Sequence, residues 1–260
     1  MFTNKTALIT GSTSGIGLGI AEMLAKNHAN IVLNGFGDQQ VIENIKNKIA
    51  ADFNVEVIYS SADISKQHEV ALMVEQAIAK FGSIDILVNN AGIQYVAPID
   101  EFPEDKWDAV IATNLSSSFY TIKACLPLMK KNNFGRIINI ASAHGLVASA
   151  NKSAYVAAKH GVIGLTKVVA LEMADHNITA NAICPGWVYT PLVAKQVEEI
   201  AKNDNLSLED AKKKLLFEKH PSLSFVLPEE IGETVCFLAS NAARSITGTS
   251  ISVDRGWTAR

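Results

Sequence analysis

Three side chains carry the strongest chemical signal in this sequence: Ser142 just past a β-branched run, then Tyr155 and Lys159 on a predicted helix. Positions i and i+4 share one helical face, so the phenol and the ammonium can act together. A phenol of pKa ~10 needs ~4 kcal/mol of preferential phenolate stabilisation to ionise near neutrality, at about 1.36 kcal/mol per unit. A neighbouring lysine cation supplies part of that stabilisation. With Ser142 aligning the reacting oxygen, the trio reads as proton transfer at an alcohol or carbonyl, and Asn114 is a candidate for positioning Lys159 through water.

A second group reads as a dinucleotide cradle. Thr10-Gly11-Ser12-Thr13-Ser14-Gly15-Ile16-Gly17 follows a short apolar run. Its glycines permit a tight turn and close backbone approach, while the next helix offers free amides to a pyrophosphate. The spacing departs from G-x-G-x-x-G and lacks the Gly-Lys-Ser/Thr ending of a nucleotide-hydrolase loop. After the second strand the chain reads Asn34-Gly35-Phe36-Gly37-Asp38. Phe36 offers an aromatic edge to an adenosine, and no cation is at hand for a 2′-phosphate, which favours NAD over NADP. Asp63 and Ile64 follow the third strand, and Asn89-Asn90-Ala91-Gly92 the fourth. Asp63 suits either an adenine amino group or the cap of a helix starting near Ser65.

These residues must be held by alternating strands and helices. Ala7 to Ile9 predicts a strand, Ile16 to Leu24 a helix, and Ile31 to Leu33 a second strand, which makes one βαβ unit. The pattern continues with a strand over 55–59, a helix over 69–81, a strand over 84–88, a long helix in the 107–131 region and a strand over 136–140. A helix over 153–174, a strand over 179–183 and a last strand over 250–253 complete it. Apolar strands separated by single helices imply α/β architecture: one doubly wound parallel sheet, covered on both faces, in a single domain spanning 1–260. Ligands of such sheets bind beyond the strands' carboxyl ends, where the candidate residues fall. Between Pro185 and Pro228 the rhythm breaks into Lys- and Glu-rich helices over 194–202 and 208–218. An excursion at that position suits a mobile lid, assigned to 188–220, or a solvated helical insertion.

Composition narrows the function classes. Among 260 residues, 23 Lys and Arg face 26 Asp and Glu, and 48% are hydrophobic. That balance excludes a disordered chain and gives no field for gripping nucleic acid. Cys125, Cys184 and Cys236 are odd in number and far apart, so buried reduced thiols are expected rather than disulfides or a metal site. No stretch is expected to span a membrane, and no apolar signal region opens the chain, so a soluble cytoplasmic protein is expected.

The motif set, in order, resembles that of the short-chain dehydrogenases/reductases: Thr10-Gly11-x-x-x-Gly15-x-Gly17, Asn89-Asn90-Ala91-Gly92, Asn114, Ser142, Tyr155-x-x-x-Lys159 and Pro185-Gly186. The resemblance implies a Rossmann-type fold, NAD(P)-dependent interconversion of alcohol and carbonyl, an Asn114-Ser142-Tyr155-Lys159 tetrad and a homotetramer. It implies a cofactor held by Gly11, Thr13, Ser14, Gly15, Ile16, Gly17, Phe36, Asp63, Ile64, Asn90, Ala91, Gly92, Tyr155, Lys159, Pro185, Gly186 and Val188. Within the family, residues 142–153, Cys184-Pro185-Gly186-Trp187 and Gly256-Trp257-Thr258-Ala259 are similar to the bacterial members that act on (R)-3-hydroxybutyrate. That similarity implies NAD as cofactor, acetoacetate as the oxidised partner, and a carboxylate held by Gln94, His144, Lys152 and Gln196 between the apolar walls Trp187 and Trp257. The chain departs from the family at Asp254-Arg255-Gly256, where two consecutive glycines are common. A small hydroxy acid needs its carboxylate neutralised, which Lys152 and the neighbouring donors suit. The alternatives are a reductase of another carbonyl, such as a 3-oxoacyl thioester, and a cofactor sensor without chemistry. A serine hydrolase does not fit, because Ala141-Ser142-Ala143 is not a nucleophile elbow.

Overall fold

In the computed structural model, which describes residues 1–259, seven parallel strands form one sheet in the order β3-β2-β1-β4-β5-β6-β7. They are β1 (Thr6–Ile9), β2 (Asn30–Asn34), β3 (Val57–Ser60), β4 (Ile86–Asn89), β5 (Gly135–Ile140), β6 (Ile178–Pro185) and β7 (Ser250–Val253). The helices are α1 (Gly15–Lys26), α2 (Gln39–Phe53), α3 (Gln67–Phe81), α4 (Glu104–Ile111), α5 (Ser117–Lys131), α6 (Ser153–Glu172), α7 (Pro191–Asp204), α8 (Leu208–Leu216) and α9 (Pro228–Ala239).

The strands are apolar throughout because both faces are covered, and alternate residues serve different cores. Ala7, Ile9, Ile31, Leu33, Ile86 and Val88 pack with Ile20 and Leu24 of α1 and Ile231 and Val235 of α9. Leu8, Val32 and Leu87 point the other way, toward Met73 and Val74 of α3 and Ile122 and Met129 of α5. Each such buried branched side chain contributes about 1.5–3 kcal/mol. Strand order reverses between β1 and β4, the crevice where doubly wound sheets bind ligands.

Some boundaries move. The third strand starts at Val57 rather than residue 55, and the fourth at Ile86 rather than 84. The sixth is longer than 179–183, at Ile178–Pro185. The helix expected over 107–131 is broken: α4 and α5 are joined by a π-helical turn, Ala112–Ser116. The extra residue of a π turn displaces a side chain from the α-helical register, and here it turns Asn114 inward. The expectation that no segment could span a membrane also changes, since the 20-residue α6 is long and apolar enough by length and composition. Its inner face is buried at Ala154, Ala158, Lys159, Val162, Ile163, Thr166, Val169 and Ala170, the pattern of a core helix. Cys125, Cys184 and Cys236 are free thiols, all buried.

α7 and α8 pack chiefly on each other. Val193, Val197 and Ala211 make a small apolar seam, with Trp187, Ile200, Leu215 and Phe225 against it. The segment is thus a helical unit set beside the β6 carboxyl end, apart from the two main cores.

Candidate active site

The cradle is built by backbone that only glycine fits. Gly11 has φ +64°, and a Cβ there would lie 2.8 Å from Ala91 Cα. A Cβ on Gly17 would collide with the Gly11 carbonyl oxygen and the Asn90 amide. Asn90 fixes this approach by donating to the Thr10 and Gly11 carbonyls at 2.9 and 3.1 Å. Thr10 Oγ1 accepts from the Asn90 and Ala91 amides at 3.0 and 3.1 Å. Ser14, the N-cap of α1, is extended and makes no side-chain cap, and the first turn carries no acidic residue. The leading amides of α1, from Gly15, Ile16 and Gly17, are therefore left for an anion. A pyrophosphate fits such a cradle.

Thr13 Oγ1 donates to the Phe36 carbonyl at 3.0 Å and so ties the turn to the β2 tip. Phe36 stands 67% exposed there, free to cover a ligand ring. Ile64 is buried. The Asp63 carboxylate accepts from the Ser65 amide and hydroxyl at 3.0 and 2.7 Å. Those bonds, with Lys66 nearby, hold its pKa below the ordinary carboxylate value. Asp63 thus braces the turn before α3, whose cap position is taken by Lys66. Pro185 ends β6, Gly186 donates its amide to the Val253 carbonyl at 3.0 Å, and buried Val188 bridges to Val226.

The tetrad residues are gathered by β4, β5, the π turn and α6. Asn114 accepts from the Ile93 amide at 2.8 Å and donates to the Ile93 carbonyl at 2.9 Å, so its side chain fixes the chain beyond β4. Lys159 is buried, and its ammonium donates to the Ile140 carbonyl at 2.8 Å. Burial brings its pKa down to about 8. The same nitrogen sits 5.6 Å from the centre of the Tyr155 ring, the proximity expected of positions four apart. Ser142 Oγ accepts from the His144 amide at 3.1 Å and also hydrogen-bonds Tyr155. Burial raises the Tyr155 pKa while the Ser142 bond opposes it. Protein groups alone therefore favour the protonated phenol, and a cation beside it would favour phenolate.

Beside the tetrad lies an aromatic box. His144 stands edge-on to Tyr155 at 6.0 Å and to Trp257 at 4.9 Å between ring centres. Its Nε2 is 2.8 Å from Ser149 Oγ. Burial first, then Lys152 and Lys219, bring its pKa down to about 4, so His144 is a neutral wall and the positive charge comes from lysine. Lys152 Nζ is 5.9 Å from the centre of a Trp187 ring, and burial lowers its pKa. Gln94 lies exposed beyond β4 and Gln196 half-buried on α7. Among the described residues neither amide has a hydrogen-bond partner, so these two are not yet gathered onto the box.

Two residues here gave no sequence signal. His220 is fully buried, and its Nε2 accepts from the Trp187 amide at 2.8 Å. Its Nδ1 then carries the proton, donated to the Ser224 carbonyl at 2.9 Å. A Cβ on Gly186 would collide with this ring, which explains the glycine before Trp187. Lys219 lies 5.4 Å from the centre of a Trp257 ring. Both are brought in by the turn after α8, contacts that no spacing rule reaches.

A family model described as enoyl-(acyl carrier protein) reductase matches residues 11–258. The chain is 56% identical, over all of both chains, to the D-beta-hydroxybutyrate dehydrogenase of Cupriavidus necator. It is 52% identical to the D-beta-hydroxybutyrate dehydrogenase of Rhizobium meliloti, over 98% of this chain and 99% of that one. A solved structure of an actinorhodin polyketide ketoreductase variant with NADPH superposes with a TM-score of 0.90 at 33% identity, covering 99% of each chain.

Proposed function

The chain belongs to the short-chain dehydrogenase/reductase family, and on that premise we propose that it interconverts (R)-3-hydroxybutyrate and acetoacetate with NAD. The observation that carries this reading is the pairing of a Ser142-Tyr155-Lys159 cluster with a neighbouring box that holds Lys152 against Trp187. The relatives named for hydroxybutyrate support the substrate, and a β2 tip without a cation supports NAD. The residues that would hold the dinucleotide are the Gly11 to Gly17 turn, Phe36, Asn90 to Gly92, Val188, Tyr155 and Lys159.

When bound, the oxidised nicotinamide supplies the hydride acceptor. Ser142 aligns the substrate hydroxyl, and the Tyr155 oxygen removes its proton. Lys159, with its pKa already brought down to about 8, acts as the cation that favours phenolate. Asn114 holds the Ile93 backbone at the mouth of the site. Lys152 and Gln94 meet the carboxylate, with Gln196 arriving as 188–220 closes to exclude water. The aromatic walls Trp187, Trp257 and His144 leave room for a short acid and give a long acyl carrier no matching charge.

By the same family likeness the enzyme is a homotetramer. Phe119, Val168 and Leu171 expose apolar surface on α5 and α6, which supports burial of that face between subunits. The buried reduced thiols suit a cytoplasmic setting. The reading is tested by offering both enantiomers of 3-hydroxybutyrate with each nicotinamide cofactor.

A further inference from the structure

The 188–220 segment carries six lysines; Lys195, Lys202 and Lys219 have no acid partner among the described residues, and of these three Lys219 alone is partly withdrawn from solvent. Lys212, Lys213 and Lys214 each pair with an acid, Glu209, Asp210 and Asp204 respectively. Lys219 and Lys152 have no ion-pair partner among the described residues. Both are partly withdrawn from solvent. They reach the same box from two elements, Lys152 against Trp187 and Lys219 against Trp257. His220 joins those two walls, bonded to the Trp187 amide and packed 6.1 Å from the Trp257 ring. Lys219 also acts on Lys152 and His144 through its charge, and both are harder to protonate for it.

Two half-buried cations without an anion are unfavourable, and a carboxylate between them relieves both. A third donor waits on the same wall, since Trp187 Nε1 is buried without a hydrogen-bond partner. A structural lysine withdrawn from solvent would be expected to find an acid or a carbonyl, as Lys212 does with Glu209.

We propose that Lys219 is a specificity-determining residue: carried at the end of the lid, it holds the substrate carboxylate together with Lys152 and thereby selects acids over neutral ketones. This rests on the hydroxy-acid reading of the site. Lid closure and acid selection are then one event, because the anion draws Lys219 inward.

The test uses the full-length enzyme with NAD and the variants Lys219→Met, Lys219→Gln and Lys219→Arg. Acetate and acetamide are titrated while tryptophan fluorescence reports the Trp187 and Trp257 walls. Lys219→Met is expected to weaken acetate about ten- to hundred-fold, the scale of a charge-assisted hydrogen bond, and to leave acetamide alone. In turnover the loss should fall on the KM for acetoacetate, spare the KM for its methyl ester, and be largely restored by Lys219→Arg. Lys219→Gln serves if the Met variant does not fold. Unaltered acetate affinity and acetoacetate KM, or equal losses for acid and ester, would overturn the proposal. If wild-type enzyme ignores acetoacetate, the hydroxybutyrate reading falls, while the acetate and acetamide titrations still decide the role of Lys219.

Discussion

At the scale of single residues, the proposed chemistry rests on a phenol that its own surroundings keep protonated. Burial raises Tyr155, and burial also depresses Lys159 to about 8, so near neutral pH the phenol is protonated while Lys159 keeps most of its charge. Oxidation needs the deprotonated phenol, so its efficiency should rise with pH, while reduction needs the protonated phenol and should fall. Lys159→Ala should move the oxidative rise to higher pH, as measured by the pH profile of kcat/KM. Tyr155→Phe should lower kcat by about 10²–10⁴-fold, and a variant with normal turnover would refute the assignment. Lys152→Ala and Gln196→Ala should mainly raise KM for 3-hydroxybutyrate, with unchanged kinetics in both removing the carboxylate clamp. The reactive trio was legible in the sequence because helical spacing alone joins Tyr155 to Lys159, and Ser142 follows a strand. His220 and Lys219 were not legible, because their partners Trp187 and Trp257 are tens of residues away and meet them only through the packed turn after α8.

At the scale of elements, the π turn and the 188–220 segment depart from the regular alternation. The regular apolar pattern over 107–131 reads as one helix, since periodicity does not register a single inserted residue. Tertiary bonds accompany the break: from within the π turn, Asn114 satisfies both backbone polar groups of Ile93. The helices over 191–204 and 208–216 were legible as helices, but their role was not, because a solvated insertion and a lid share one composition. Their seam is small and separate from the main cores, so opening should cost little. Hydrogen exchange over 188–220 should slow when NAD and acetoacetate are added together. Exchange indifferent to both would remove the lid.

For the whole molecule, the seven-stranded order puts the cradle and the tetrad on the same carboxyl edge, with the dinucleotide crevice at the β1/β4 reversal. The alternation of short apolar runs with single helices made this much readable in advance. The order of the strands was not legible, because no local signal records which strand lies beside which. The apolar face at Val168 and Leu171 gives the assembly prediction. Light scattering should return four times the protomer mass, and Leu171→Asp should lower it. A wild-type monomer would contradict the tetramer.

A tyrosine-based hydride-transfer site shaped for one small hydroxy acid should reveal itself in the absorbance of reduced nicotinamide. Wild-type enzyme is offered (R)- and (S)-3-hydroxybutyrate with NAD and with NADP. Reduced cofactor should form from the (R) enantiomer with NAD, and far less from the other three combinations. No reduction with either enantiomer, or equal efficiency with NADP, would contradict this reading.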